Sequence, residues 1–227
     1  MSETSQFDIN KVIADAKFII TNPVGYYQSM PKTGGFAEPL IFVAVMAAVT
    51  GIIAAIFSLF SSSVAGMLAA GFSAIILMPI FAVIGAFIGS VILFVIWKLM
   101  GSPENYETAF RCLAAITAIY PIIAVLSIIP YIGTIIGIVW ATWLLIEASV
   151  AVHGRNRQTA SIVFGILGAL MLISNVSSEY AARNLASKLD QYQNRLEQYQ
   201  QMDPDEAGRK LGEFFKGIEQ GMGESGN

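Results

Sequence analysis

The amino-acid sequence predicts an all-α integral membrane protein, with five transmembrane helices, an N-terminal amphipathic helix and a C-terminal extramembrane helical tail. Three observations carry this prediction. The 227 residues are 55% hydrophobic and only 13% charged, with a mean hydropathy of +0.64, far more apolar than a water-soluble domain of this length needs. No Asp, Glu, Lys or Arg occurs from Pro39 to Trp97 or from Cys112 to Ile146, and each run exceeds the roughly 20 residues that span a bilayer core. Beyond residue 176 the composition turns abruptly to Gln, Glu, Arg and Tyr.

Residues 1–38 read as a cytoplasmic amphipathic or interfacial segment. Ile9, Val12, Ile13, Ala16, Ile19 and Ile20 recur at helical spacing, while Asp8, Lys11, Asp15 and Lys17 fall largely on other faces. Asn22-Pro23 ends that helix, and Tyr26, Tyr27 and Met30 precede Pro31 and Gly34-Gly35, a run suited to a short interfacial stretch. The alternative is a helix packed on a soluble surface, its own or a partner's. The mixture of acids and bases here is not a signal-peptide layout, so no cleavage is expected.

The five-span membrane domain covers 39–176. The first span is placed at 39–60 and the second at 74–99, with a Ser- and Gly-rich loop at 61–73 between them. Trp97-Lys98 reads as an interface anchor with a snorkelling lysine. The third span, 108–129, follows Gly101-Ser102-Pro103. The fourth, 132–152, follows the tight turn at Pro130, and the fifth is 159–176. Pro79, Pro121 and Pro130 are expected helix breaks. Gly85 with Gly89, and Gly133 with Gly137, form small-xxx-small pairs that allow close helix approach.

Basic residues set the orientation, because Lys and Arg in short loops stay in the cytoplasm. Lys11, Lys17 and Lys32 precede the first span, Lys98 and Arg111 flank the second loop, and Arg155 and Arg157 lie in the fourth; the first and third loops have no base. Five spans with the N-terminus inside satisfy every loop. A six-span reading, splitting 65–99 into a hairpin, would put the basic second and fourth loops outside.

In the tail, 177–220, the residues Ala182, Leu185, Leu189, Tyr192, Leu196 and Tyr199 alternate at three- and four-residue steps, a coiled-coil seam of less than three heptads. On length it suits a coiled coil or a single helix packed on a partner or on itself. Asp203-Pro204-Asp205-Glu206 has the caps of a second helix, and residues 221–227 are expected to be disordered.

Two charges inside the spans ask for a reason, since an ionised group in hydrocarbon costs on the order of 2.5 kcal/mol or more. Arg111 and Glu147 fall at matching depths on neighbouring spans and are expected to form an intramembrane ion pair; the alternative is that each snorkels separately. His153, Arg155 and Arg157 form a basic cytoplasmic loop suited to anionic headgroups. One histidine cannot build a His-based metal cluster or a catalytic triad, and one cysteine, Cys112, excludes an intrachain disulfide. No phosphate-binding glycine loop or nucleophile elbow occurs. The expectation is therefore no enzyme, no metal, no cofactor and no nucleic-acid partner.

The order and spacing of Thr21-Asn22-Pro23, Tyr26-Tyr27, Met30, Pro39-Leu40, Tyr120-Pro121, Ile129-Pro130 with Gly133, and His153 resemble the YIP family, the Ypt/Rab-interacting-protein family of membrane proteins, in its prokaryotic branch, over about residues 15–175. The resemblance implies a five-span domain with a cytoplasmic N-terminus, here in a prokaryotic cytoplasmic membrane. Eukaryotic members are tied to vesicle trafficking through Rab-type GTPases and to membrane shaping. Their N-terminal Asp-Leu-Tyr-Gly-Pro motif is absent here, so Rab binding is not carried over. The functional expectation is a non-enzymatic scaffold or adaptor in membrane organisation or trafficking-like assembly. Its partners are the bilayer and a second copy or another membrane protein engaged through the tail face of Leu185, Leu189, Tyr192, Leu196 and Tyr199. The alternative is a small transporter or channel component using Arg111 and Glu147.

Overall fold

The computed structural model describes residues 8–58 and 64–200, with residues 208, 209, 212 and 216 beyond them. Within these, order follows from a series of helix caps. The Asp8 carboxylate accepts the Asn10 amide at 2.9 Å and opens α1 (Ile9–Thr21). Asn22 donates its backbone N–H to Phe18 O, closing α1, while its side chain accepts the Gly25 amide at 3.0 Å and opens α2 (Pro23–Ser29), with Pro23 in the first turn. One Asn-Pro pair thus both stops and restarts the chain. The remaining helices are α3 (Ala37–Ser58), α4 (Val64–Leu99), α5 (Tyr106–Ile116), a 3-10 turn (Thr117–Ile119), α6 (Tyr120–Leu126), α7 (Ile132–Ala151) and α8 (Arg157–Gln200). The chain divides into two compact units, Met1–Val176 and Ser177–Asn227.

Five stretches are long and apolar enough to cross a bilayer: Ala37–Ser58, Ile75–Leu99, Tyr106–Leu126, Ile132–Ala151 and the apolar part of α8. Their outer surfaces need lipid. Ile76, Phe81, Ile88 and Ile92 on α4, Val139 on α7 and Ile166 on α8 are all more than half exposed, an apolar surface that water would not tolerate on this scale. The protein is a multi-pass, all-helical integral membrane protein.

Several boundaries differ from the sequence expectation. The loop at 61–73 gives way to helix from Val64, because Ala65, Met67, Leu68, Ala69 and Ala70 outweigh Gly66 and Gly71. Pro79 does not break α4, which runs through it to Leu99; the loss of one backbone bond is absorbed where helix is the only conformation that satisfies the remaining groups. Pro121 does interrupt the third span. With no N–H of its own and a ring that collides with the carbonyl of Thr117, it is preceded by a 3-10 turn in which the Tyr120 N–H bonds Thr117 O. That span closes at Leu126, earlier than expected, and the turn before α7 holds Tyr131 at φ 67°. The fifth span lies within α8, a single helix to Gln200. The second tail helix expected from Asp203 and the end at 221–227 lie outside the described residues, apart from the four isolated positions.

In the first unit α3 packs along α4, α4 on α5, and α6 on α7, while α1 and α2 fold back on the bundle against the 3-10 turn, α5 and α7. The core joins Trp97, Tyr27, Phe164, Ile19, Ile119 and Leu144, all fully buried. Glycines set how closely α6 and α7 approach. A side chain at Gly133 would begin 2.8 Å from the Ser127 backbone, and one at Gly137 2.9 Å from the Ile123 side chain. Gly89 faces Leu113 at 3.2 Å, but nothing lies within 4 Å of a side chain at Gly85, so Gly85 is not part of a close helix contact.

Candidate functional site

The polar chemistry of the membrane unit gathers at one end of the bundle, where α1, α2, the α4–α5 connection (100–105) and the α7–α8 connection (152–156) meet. Two groups of side chains organise it.

The first centres on Arg111, one turn inside α5 and 5% exposed. Its Nη2 donates to Gly35 O at 2.7 Å and its Nε to Glu107 Oε1 at 3.3 Å, while Nη1 lies 3.7 Å from Glu38 Oε2. Glu107 also accepts the Gly35 amide at 2.6 Å. The segment before α3 is thereby wrapped over the α5 ion pair. Gly34 and Gly35 take φ of 128° and 83°, and a side chain at Gly34 would meet the Arg111 guanidinium at 2.9 Å, so glycine is required on both counts.

The second group surrounds His153. Its ring stacks on Trp97, with centroids 3.9 Å apart and planes at 17°, and Trp97 Nε1 donates to Ser149 Oγ at 2.8 Å. His153 Nδ1 lies 2.8 Å from Ser102 Oγ, and Nε2 lies 3.8 Å from Cys112 Sγ. Ser102 Oγ also accepts the Glu104 amide at 3.2 Å, so the hydroxyl joins the ring to the α4–α5 connection. Burial, with Lys32, Arg155 and Lys98 nearby, holds the His153 pKa down at about 3, so the ring is neutral at pH 7. Lys32 reaches across to Glu104 (2.8 Å) and Val152 O (3.1 Å), and Arg155 donates to Met100 O (2.8 Å) and His153 O (2.8 Å). These bonds tie the N-terminal segment and both connections into one knot.

This geometry corrects two expectations. Arg111 and Glu147 do not pair. Glu147 is 3% exposed and is held by Arg157 through two bonds of 2.7 Å and by Trp143 Nε1 at 3.1 Å. The reason is rotational: Cys112, about 100° around the helix from Arg111, is the residue that meets the end of α7 at His153, so Arg111 faces α3 instead. The loop of His153, Arg155 and Arg157 is not a uniform headgroup surface either. His153 is 1% exposed, Arg155 is spent on backbone carbonyls, and Arg157 answers Glu147.

A cavity of about 870 Å³ lies among α3, α4, α6, α7 and α8, and neither Arg111 nor Glu147 lines it. Among the described residues no group of three or more His, Cys, Asp or Glu side chains could hold a metal ion. In the second unit, Leu185 and Leu189 are 60% and 53% exposed and Tyr192 49%. Leu196 and Tyr199 fall on the same helix, but their side chains lie outside the described residues. A family model described as the Yip1 domain matches residues 17–177, more than half of the chain. No curated protein and no solved structure matches it.

Proposed function

The chain belongs to the Yip1 domain family, and from that premise we propose that it is a non-enzymatic membrane scaffold or adaptor in membrane organisation or trafficking-like assembly. The observation that carries this reading is the tail: α8 continues to Gln200 with Leu185 and Leu189 on one face, both more than half exposed. Two leucines left open on a mostly polar surface suit a seam that a second helix covers. The partner is a second copy of this chain or another membrane protein.

Lys32, Lys98, Arg155 and Arg157 gather at the end of the bundle that carries α1, which supports a cytoplasmic N-terminus by the positive-inside rule. Five spans then put the tail on the opposite side, in a prokaryotic cytoplasmic membrane. The absence of the Asp-Leu-Tyr-Gly-Pro motif argues against Rab-type GTPases as the partner.

Ending the chain after Ser177 tests the proposal. The truncated protein should still insert, and the full chain's association should vanish when both are sized in mild detergent. Unchanged assembly of the shortened chain would remove the tail from the mechanism.

A further inference from the structure

A cavity of about 340 Å³ opens between α1, α2, the start of α3 and α5, within the size range of small-ligand sites. Its wall is of two kinds. Its lining includes the charged Asp8, Lys11, Asp15, Glu38 and Arg111 and the apolar Phe42, Ala114 and Ala115. A ligand that fits both is amphipathic.

Among the charged groups Lys11 Nζ donates to Asp15 Oδ2 at 3.0 Å, an exposed pair that a ligand can exchange, and the rest is only partly self-satisfied. Glu38 sits 3.6 Å from Lys11 Nζ and 3.7 Å from Arg111 Nη1, both beyond hydrogen-bond length. Arg111, whose side chain is 95% withdrawn from solvent and lines the cavity, spends Nε and Nη2 on Glu107 and Gly35, which leaves Nη1 with only the 3.7 Å ion pair to Glu38. A buried guanidinium with one nitrogen held only by that long ion pair suits an oxyanion such as a phosphate diester. Three carboxylates against two bases leave the lining net negative, which disfavours a simple anion and favours a ligand with its own cation. Phe18 and Tyr26 line the same cavity, edge to face at 5.9 Å, and aromatic faces attract ammonium groups.

We propose that this cavity binds the head group of a zwitterionic phospholipid of the phosphatidylethanolamine class. The phosphate meets Arg111 Nη1 and Lys11, and the primary ammonium meets Glu38, Asp15 and the Phe18–Tyr26 rings. A primary ammonium is favoured over a quaternary one because its N–H groups can bond the carboxylates. Bound this way, the lipid joins α1 to the membrane helices.

The test is native mass spectrometry of the full chain in detergent, titrated with phosphatidylethanolamine, phosphatidylcholine, phosphatidylglycerol and soluble glycerophosphoethanolamine. Phosphatidylethanolamine should bind about tenfold more tightly than either other phospholipid, and Glu38→Gln should erase that preference with an unchanged unfolding midpoint. If Glu38→Gln lowers the midpoint, Asp15→Asn gives the same readout from α1. Equal binding of the three phospholipids, or a preference that survives both substitutions, overturns the assignment. Equal affinity for glycerophosphoethanolamine would make the ligand a soluble head group and overturn the lipid.

Discussion

His153 makes the membrane unit acid-sensitive by an amount that follows from its surroundings. In the folded protein the ring is buried against Trp97, between Ser102 and Cys112, and faces Lys32, Lys98 and Arg155, so its pKa falls from 6.5 to about 3. The unfolded chain therefore binds a proton that the folded chain refuses. The stability this neutral ring preserves is fully present above the unfolded value of 6.5 and is lost as pH falls toward the folded one. Between about pH 7.5 and about pH 5 the loss is roughly 2 kcal/mol, rising to roughly 5 kcal/mol well below the folded pKa. For a chain of this size 2 kcal/mol moves the unfolding midpoint by about 4–8 °C. The assay is thermal unfolding of detergent-solubilised protein across that pH interval, for the native chain and for His153→Gln. The variant starts less stable, having lost the stack on Trp97, but its midpoint should fall less steeply with acid. Parallel pH profiles for the two proteins would refute the reasoning.

Arg111→Met leaves Glu107 and the Gly35 carbonyl without their partner and should cost roughly 3–5 kcal/mol in chemical unfolding, with Arg111→Lys recovering only part of it because the fork geometry is lost. Gly133→Ala drives a methyl group into the Ser127 backbone and should destabilise by about 1–3 kcal/mol. Gly85→Ala meets open space and should be neutral or stabilising by up to ~1 kcal/mol through helix propensity; equal effects at the two positions would contradict the packing described. For the buried carboxylate, exchanging Glu147 and Arg157 should recover part of what either single reversal loses, measured by thermal unfolding, whereas exchanging Glu147 and Arg111 should recover nothing.

The membrane architecture was legible because it depends on composition: runs without charge longer than a bilayer is thick admit few other readings. The break at Pro121 was legible for a similarly local reason, the missing N–H. Pro79 has the same chemistry and leaves its helix intact, so proline alone does not locate a break. The partners of the charged residues were only partly within reach. Glu107 stands four residues before Arg111, a pairing that counting along one helix finds, and Arg157 opens α8 just across the short connection from Glu147 near the end of α7. Matching depth alone led instead to Arg111 with Glu147, because depth says nothing about which way a helix is rotated. The His153 knot was not legible: Ser102 and Cys112 lie 51 and 41 residues away, and the neighbouring arginines made the segment look like an exposed basic turn. The cavity under α1 likewise depends on how α1 and α2 fold back, which periodicity does not encode.

The most direct test of the scaffold reading is photocrosslinking in native membranes from probes at Leu185 and Leu189, followed by identification of whatever is attached. The account predicts one dominant adduct in near-stoichiometric yield, with a second copy of the chain or with a single membrane protein, and its loss when both leucines' neighbouring seam position Tyr192 is changed to Glu. Crosslinking no greater than from a probe on the opposite face of α8, such as Asn194, would contradict it.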